Sequence, residues 1–531
     1  LVIFIAAFSP RQSEHRGAPG SSRPVQILLT IGADTEPMND AAIPPGDPDA
    51  LYVAGLLNLR VGNHGQAIDS LTAALDLRPD HAGTRRNLIR ALLASGQSLA
   101  ALHHVETALA ADPDNAELHY ARGTALNAVG QPADAAAALL RAVTLDPDHA
   151  ASWLNLGNAC ADLDDIDMAE RHCRTAIALN PRLVEAHASL GYLLTAKGDL
   201  AGAIAACETA IRLNPTCVQA HWNLATSALL AGDLPRGFRE YEWRKRHDRF
   251  RRDFVNLPGP VWDGRNPAGR TILVKSEQGF GDTIQFSRYL RQIAARGGHP
   301  ILACEPPMVP LFAGQPGMTA VSKTDPQPHY DAWIDQMSLP LAFGTTLDSI
   351  PAAGGYLAAD PVRVAAWRSR LPAGCSIGLA WAGNWLHSND RRRSLPTELL
   401  TPILCSPGFN GISLQYRQTL PGLPDATPWL TDFAETAALI ACLDLVISVD
   451  TAVAHLAGAL GVACWILVPY APDWRWLRDR SDSPWYDSVR LFRQTSPGDW
   501  AGVVDRVVAA LAGRLPPSAS WPASCAGTLP R

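Results

Sequence analysis

A chain of 531 residues exceeds a single hydrophobic core and asks for about three or four units at ~100–200 residues each. Hydrophobic residues at 47% against 18% charged exclude a disordered chain, and a net charge of −6 argues against a general binder of nucleic acid or anionic membrane. The ten cysteines form no Cys-x-x-Cys pair and no cluster with histidine at ligand spacing. Neither a disulfide scaffold nor a zinc site is expected, and a reducing cytoplasm is the expected location.

In chain order, residues 1–47 come first. Leu1–Phe8 is apolar but lacks a preceding basic stretch and is too short to span a bilayer. The first methionine is Met38, so residues 1–47 are expected to be disordered or an over-extended start. From 48 to 255 a period of 34 governs the chain. Pro79, Pro113, Pro147, Pro181 and Pro215 repeat at that spacing, as do Gly62, Gly96, Gly130, Gly198 and Gly232, with Asp164 in the missing place. Two alanine columns share it, one from Ala67 to Ala203 and one from Ala74 to Ala210. The Gly/Asp column ends a first helix where positive φ is needed, alanines let a second helix approach, and proline stops that second helix. This is a helix–turn–helix solenoid unit of tetratricopeptide type, with five full repeats and a degenerate sixth. Trp153, Leu156 and Gly157 match the first-helix consensus. The sixth repeat loses its proline and carries Arg244 in the second alanine column. Glu242–Asp253, with six cations and three anions, reads as a solvated linker helix.

After Pro258 short apolar runs bounded by Gly and Pro replace the helical period. Thr271–Val274, Pro300–Ala303, Ser376–Ala380, Gly411–Leu414, Leu443–Ser448 and Ala463–Val468 read as strands alternating with helices, hence α/β layers with parallel sheets. Two Rossmann-like halves are expected at 265–355 and 375–512, joined by a helix near Asp360–Arg370, with 513–531 as a disordered tail. The apolar run Ala452–Pro469 reads as helix, turn at Gly461 and strand rather than as a transmembrane segment.

Three segments carry chemistry. Gly279-Phe280-Gly281-Asp282 follows a strand and opens a helix; Asp282 suits a site carboxylate and equally a helix cap. A dinucleotide fingerprint is the rival there, with Glu305 as the ribose acid, but Ile284 stands at the third glycine position. Trp381-Ala382-Gly383-Asn384, His387 and Asp390-Arg391-Arg392-Arg393-Ser394 form a loop leaving a strand end, where arginines suit a diphosphate or simply solvent. Ser448–His455 is again strand, turn and helix, placing Asp450 and Thr451 at a helix start suited to phosphate, where capping alone also explains Asp450, and His455 one turn in, where a satisfied core histidine is the alternative. Tyr470, Trp474, Trp476 and Trp485 could stack on a sugar or base, or pack under the C-terminal helix.

Through these segments, residues from about 265 to 510 resemble glycosyltransferase family 9, the heptosyltransferase-like enzymes, in the branch fused to tetratricopeptide repeats. The strings are EQGFGD (277–282), SLPLAFGTTLDSIP (338–351), WAGN…NDRRRSLP (381–396) and DLVISVDTAVAHLAGALG (444–461). The resemblance implies an α-solenoid followed by an α/β GT-B fold of two Rossmann-like domains. It implies Asp282 as catalytic base, and a donor site of Gly281, Asn384, Arg391, Arg393, Asp450, Thr451, Ala452 and His455. Ala452 departs from the Gly of many relatives. A nucleotide-sugar donor is the expected co-substrate, with inversion at the anomeric carbon, no other cofactor and no metal; Asp162-x-Asp164 falls in a repeat turn. Asn87, Asn155 and Asn223 share one first-helix position and resemble the asparagines that hold substrate backbone in O-linked N-acetylglucosamine transferases, although a solvated helix position also accounts for them. A protein or peptide in the repeat groove is the expected partner, with no nucleic acid. The alternative from another class is a non-catalytic scaffold whose GT-B part only holds a ligand.

Overall fold

The computed structural model describes residues 46–513 apart from 251–253, 255–256, 352–353, 385–388, 407, 409 and 417. The expectations for residues 1–45, His387 and 514–531 lie outside the described residues. Two compact units divide between Asn223 and Leu224.

The first unit is a run of helices: α1 (Pro48–Arg60), α2 (His64–Leu77), α3 (Ala82–Ala94), α4 (Ser98–Ala111), α5 (Ala116–Ala128), α6 (Pro132–Leu145), α7 (Ala150–Asp162), α8 (Ile166–Leu179), α9 (Val184–Lys197) and α10 (Leu200–Leu213), with α11 (Val218–Leu230) containing the division. Each hairpin turns through one left-handed residue: Gly62, Gly96, Gly130 and Gly198 have φ of +77° to +90°, and Asp164 adopts +67° in the fourth repeat. Aspartate is among the few residues with a side chain that visit this region. Each second helix ends because the residue before proline is driven out of the helical region. Arg78, Asp112, Asp146, Asn180 and Asn214 accordingly sit at φ −133° to −142° and ψ +77° to +99°.

Packing within a hairpin depends on small residues at the crossing. Ala67, Ala101, Ala135, Ala169 and Ala203 have no exposed surface. A further column, Gly55, Gly123, Gly157 and Gly191, faces the second helix so closely that a Cβ on Gly55 would stand 2.5 Å from Leu71 Cγ. The proline carbonyls are satisfied by a side chain six residues on. Arg85 Nη2 donates to Pro79 O (2.5 Å) and Trp153 Nε1 to Pro147 O (2.8 Å). His119, His187 and His221 bring Nε2 to Pro113, Pro181 and Pro215 O at 2.8, 2.9 and 3.0 Å, and a carbonyl partner makes each Nε2 the protonated donor.

The second unit begins with the rest of α11 and with α12 (Leu234–Tyr241). The stretch after it is not a solvated linker helix: Glu242–Arg246 is a 3₁₀ turn in which Arg244 is fully buried, bonded to Glu277 through Nε (2.9 Å) and Nη2 (2.7 Å). A buried guanidinium needs such a bidentate partner, and Glu277 supplies it.

Two parallel sheets follow. The first holds β1 (Thr271–Lys275), β2 (His299–Cys304), β3 (Thr319–Ser322) and β4 (Ala332–Asp335), in the order β3-β2-β1-β4. The second holds β5 (Ser376–Ala380), β6 (Asn410–Ser413), β7 (Leu445–Val449), β8 (Cys464–Val468) and β9 (Val489–Arg493), in the order β6-β5-β7-β8-β9. β5, β7 and β8 are buried at every position, as strands covered on both faces must be. The main helices are α13 (Phe280–Phe286), α14 (Arg288–Ala295), α15 (Pro361–Arg370), α16 (Phe433–Ile440), α17 (Ala452–Leu460) and α18 (Trp500–Ala512). β3, β4 and β9 are strands that the apolar-run reading did not contain. The run from Ala452 divides as expected into α17, left-handed Gly461 (φ +74°) and β8. No helix among the described residues is long and apolar enough to cross a membrane.

The direction in which strands are added reverses in each parallel sheet at one strand. After β1 the chain adds β2 and β3 on one side and then β4 on the other; after β5 it adds β6 and then crosses to β7. In open parallel sheets the crevice beyond such strand ends is where ligands bind.

Candidate functional site

The three chemistry-bearing segments leave the C-terminal ends of β1, β5 and β7, the strands flanking the two reversals. Beyond β1, Gln278 takes φ +63° and Gly279 starts α13. The two acids of this loop part company. Glu277 turns inward to Arg244 and also accepts from Met337 N–H (3.0 Å). Asp282 turns to the seam between the α/β halves. Its Oδ2 accepts from Gly279 N–H (2.8 Å), and its Oδ1 accepts from Nη2 of Arg475. The cap and the charged role are thus played by one carboxylate, one oxygen each, and 19% of its side chain stays exposed. Burial pushes the Asp282 carboxyl above its usual range, opposed by Arg475 and the Gly279 amide.

Gly281 serves close approach between helices of the two halves. A Cβ there would stand 2.7 Å from His455 Cδ2 and 3.6 Å from Ala452 Cα, so the start of α13 lies against the start of α17. Thr451 precedes α17 in extended conformation, and its hydroxyl pairs with Ser448 Oγ (2.9 Å) rather than capping the helix. His455 is buried, with Nδ1 2.9 Å from Tyr486 Oη, Nε2 3.7 Å from Asp450 Oδ1, and its ring stacked on Trp476 at 5.3 Å. Burial, with Arg475 nearby, drives its imidazole down to about 3, so it is neutral near pH 7. Burial and the neighbouring Asp473 raise Asp450 to about 6 against the pull of Arg393 and Arg475.

The β5 loop reaches the same place. Gly383 leaves room for Arg393 and Asp390, whose side chains cross where a Cβ would sit. Arg393 donates from Nε to Asp390 (3.1 Å) and from Nη1 to the carbonyl of Asp450 (3.0 Å), tying the β5 loop to the β7 loop. Gln415 Oε1 accepts from the amides of Trp381 (2.9 Å) and Ala382 (2.8 Å) and orders the strand exit. Asn384 and Arg391 are exposed, on the loop end and on the helical turn Asp390–Arg393. Glu305, the rival ribose acid, is ion-paired to Lys323 at 2.5 Å.

The three tryptophans are buried core residues, as the packing alternative expects, and not a platform for a sugar or base. Trp474, Trp476 and Trp485 are 5%, 0% and 1% exposed, with no face for a sugar. Trp474 packs against Phe238 and Phe286 instead of the C-terminal helix, and the helix α18 rests on another cluster that includes Trp465 and Phe492. Between two of these tryptophans lies Arg475, a residue the sequence reading passed over. It donates to Gln285 Oε1 (2.6 Å) and Asp473 Oδ1 (2.8 Å), as well as to Asp282, and stacks 4.3 Å over Trp474. The signal available was an arginine two residues after an aspartate inside a tryptophan run.

In the first unit the asparagine column serves repeat-to-repeat contact. Asn87 Nδ2 donates to Tyr52 Oη (3.2 Å), Asn155 Nδ2 to Thr124 Oγ1 (3.0 Å) and Asn223 Nδ2 to Ala188 O (2.8 Å), each partner lying in the preceding repeat. Asn223 is 3% exposed; Asn87 and Asn155 are half-buried.

Comparison with known proteins follows this division. Tetratricopeptide repeat models match residues 59–125, 120–183, 162–216 and 189–242, and the model of glycosyltransferase family 9 (heptosyltransferase) matches 430–464, the segment from Leu430 through α16, β7 and α17 into β8. Protein FlbA of Caulobacter vibrioides is 30% identical over 292 residues, covering 48% of this chain and 48% of that protein. The chain thus spans about half the length of this curated relative. Among solved structures, PilF of Pseudomonas aeruginosa is similar at 22% identity and a TM-score of 0.33, covering 38% of this chain and 90% of its own. YrrB, described as a tetratricopeptide protein with an unusual peptide-binding site, matches at 22% and 0.28, covering 33% and 91%.

Proposed function

We propose that this chain, whose repeats are of tetratricopeptide type and whose residues 430–464 match glycosyltransferase family 9, transfers a sugar from a nucleotide-sugar donor to a hydroxyl acceptor. The observation that carries the reading is convergence: segments far apart in sequence meet at the reversal points of two parallel sheets, with Asp282 on one side and Arg393, Asp450 and Thr451 on the other. In this reading the donor diphosphate lies at the start of α17, which no side chain caps, where backbone amides and the helix dipole favour an anion. Arg393 adds charge complementarity, with Arg391 and Asn384 at the open side. Gly281, Ala452 and neutral His455 shape the contact between halves rather than bind phosphate. Asp282 takes the acceptor proton as the oxygen attacks the anomeric carbon with inversion, and the nucleoside diphosphate leaves with its charge met by arginine, without a metal. The repeats recruit a protein or peptide as acceptor or partner.

The test is turnover of a panel of sugar nucleotides by the full chain, with Asp282→Asn as the control. Asp282→Asn is expected to lower kcat/KM about 100-fold or more; full activity of that variant removes the base assignment. Arg393→Ala is expected to raise the donor KM with a smaller effect on kcat. One observation favours the second reading, a ligand-holding scaffold: Asp282 is already engaged by Arg475. Donor binding by calorimetry with no turnover of any donor supports that reading.

A further inference from the structure

Asp282 stands in a dense charged setting. From its own segment come the Gly279 amide and Gln285; from α12 comes Tyr241; from the loop after β8 come Arg475 and Asp473; and from the β7 exit and α17 come Asp450 and His455. Among these, Arg475 alone gives Asp282 a charged hydrogen bond, from the opposite half of the α/β unit. Every nitrogen of its guanidinium is committed: Nε to Gln285, Nη1 to Asp473 and Nη2 to Asp282. Trp474 covers its face, and it is 6% exposed. Such a clamp cannot swing, so the carboxylate it grips is fixed as well.

We propose that Arg475 is the positioning residue of Asp282: it pins Oδ1 across the seam and presents the remaining lone pairs to the acceptor hydroxyl. Its meaning for catalysis rests on the transferase reading. Its physical content does not, because the ionisation of Asp282 is measurable without turnover. Asp473 sets the strength of the clamp by sharing the guanidinium, so the two neighbours act on Asp282 in opposite directions. Removing Arg475 strands a buried carboxylate, which then holds its proton to higher pH. Removing the charge of Asp473 leaves Arg475 to Asp282 alone, which then gives up its proton at lower pH.

The experiment is carbodiimide coupling of glycine ethyl ester to the full-length protein between pH 4.5 and 8, read at Asp282 by peptide mass spectrometry. The carboxyl oxygen adds to the carbodiimide carbon in a step that consumes one proton, and glycine ethyl ester then displaces the urea, so at fixed reagent the labelling rate falls as the carboxyl loses its proton and traces its ionisation. The Asp282→Asn protein supplies the blank. Arg475→Met is expected to move the half-labelling pH upward by about one unit or more, about tenfold more label at a fixed pH above the midpoint. Arg475→Lys, which keeps the charge, is expected to stay near wild type, and Asp473→Asn to move the midpoint downward. A midpoint unmoved in both Arg475→Met and Asp473→Asn overturns the proposal and leaves Arg475 a packing element. If circular dichroism shows that Arg475→Met does not fold, Asp473→Asn decides alone. A panel with no turnover sinks the transferase reading while leaving the labelling shifts standing; unshifted labelling sinks the clamp and leaves the turnover screen intact. Where a donor is found, the acid limb of kcat/KM in Arg475→Met follows the labelling midpoint, which a merely structural role would not produce.

Discussion

Near the seam, Asp450 and His455 make stability depend on pH in opposite senses. Asp450 titrates near 6 in the folded chain, above its ordinary value, so its contribution to stability is complete below about pH 4 and is lost as pH rises through 6. His455 is depressed to about 3, so its contribution is complete above about pH 6.5 and is lost as pH falls towards 3. Asp450→Asn is therefore expected to stabilise the protein by about 2–3 kcal/mol at pH 7.5 and by nothing measurable at pH 4. His455→Gln, which cannot charge, is expected to flatten the loss of Tm on acidification below pH 6.5. Thermal unfolding across pH 4–8 checks both signs. Asp282, Arg393, Asp450 and His455 stand out in the sequence because each belongs to a recognisable string that follows a strand. Arg475 was not, because its partner Asp282 lies 193 residues away and its neighbours read as an aromatic core. His455 is a buried, neutral ring stacked on Trp476, the core-histidine alternative, and the sequence alone does not decide between that and a donor-site role because no sequence pattern carries burial.

Among the elements, the repeat hairpins are set by residues that leave space rather than fill it. In α5, a Cβ on Gly123 would overlap the Leu139 side chain of α6, whereas Gly65 in α2 has nothing within 4 Å. Gly123→Ala is therefore expected to destabilise the array by about 1–3 kcal/mol through overpacking. Gly65→Ala is expected to stabilise it by about 0.4–1 kcal/mol by restricting the unfolded chain. Melting followed by helical circular dichroism distinguishes these opposite signs for one substitution type. The helices were legible because their punctuation recurs. The donors to the proline carbonyls were not, since Arg85, His119, Trp153, His187 and His221 share a nitrogen and a direction but no residue class. β3 and β4 escaped for a related reason: each is four residues long, and Thr319–Ser322 is only half-buried at an edge. In β9 the charged Arg490 and Arg493 interrupt the apolar run, as a strand on the sheet margin allows.

For the molecule as a whole, the two units are stabilised by different kinds of contact. In the array each hairpin meets its neighbours, so stability spreads along the chain as in a one-dimensional lattice and the end repeat frays first. Amide hydrogen exchange is expected to be faster in α1–α2 than in α5–α8, where a contiguous apolar cluster includes Leu139, Leu154 and Leu190. Uniform protection along the array would contradict this. The solenoid and the parallel halves were legible in outline because period and composition change sharply after Pro258. Where the compact units divide was not, since Asn223 and Leu224 lie in one helix whose periodicity runs on unbroken.

The strand order β6-β5-β7-β8-β9 also bears on synthesis. Once β7 has joined β5, every later strand is added at the same margin in the order in which the ribosome delivers it. A nascent chain that has not yet emerged as far as Val489 therefore presents β8, Cys464–Val468, as an open margin of wholly apolar backbone neighbours. Only the arrival of β9 and then α18 closes it, so the interval of greatest aggregation risk falls between the emergence of β8 and that of α18, long after the repeats have had time to pack.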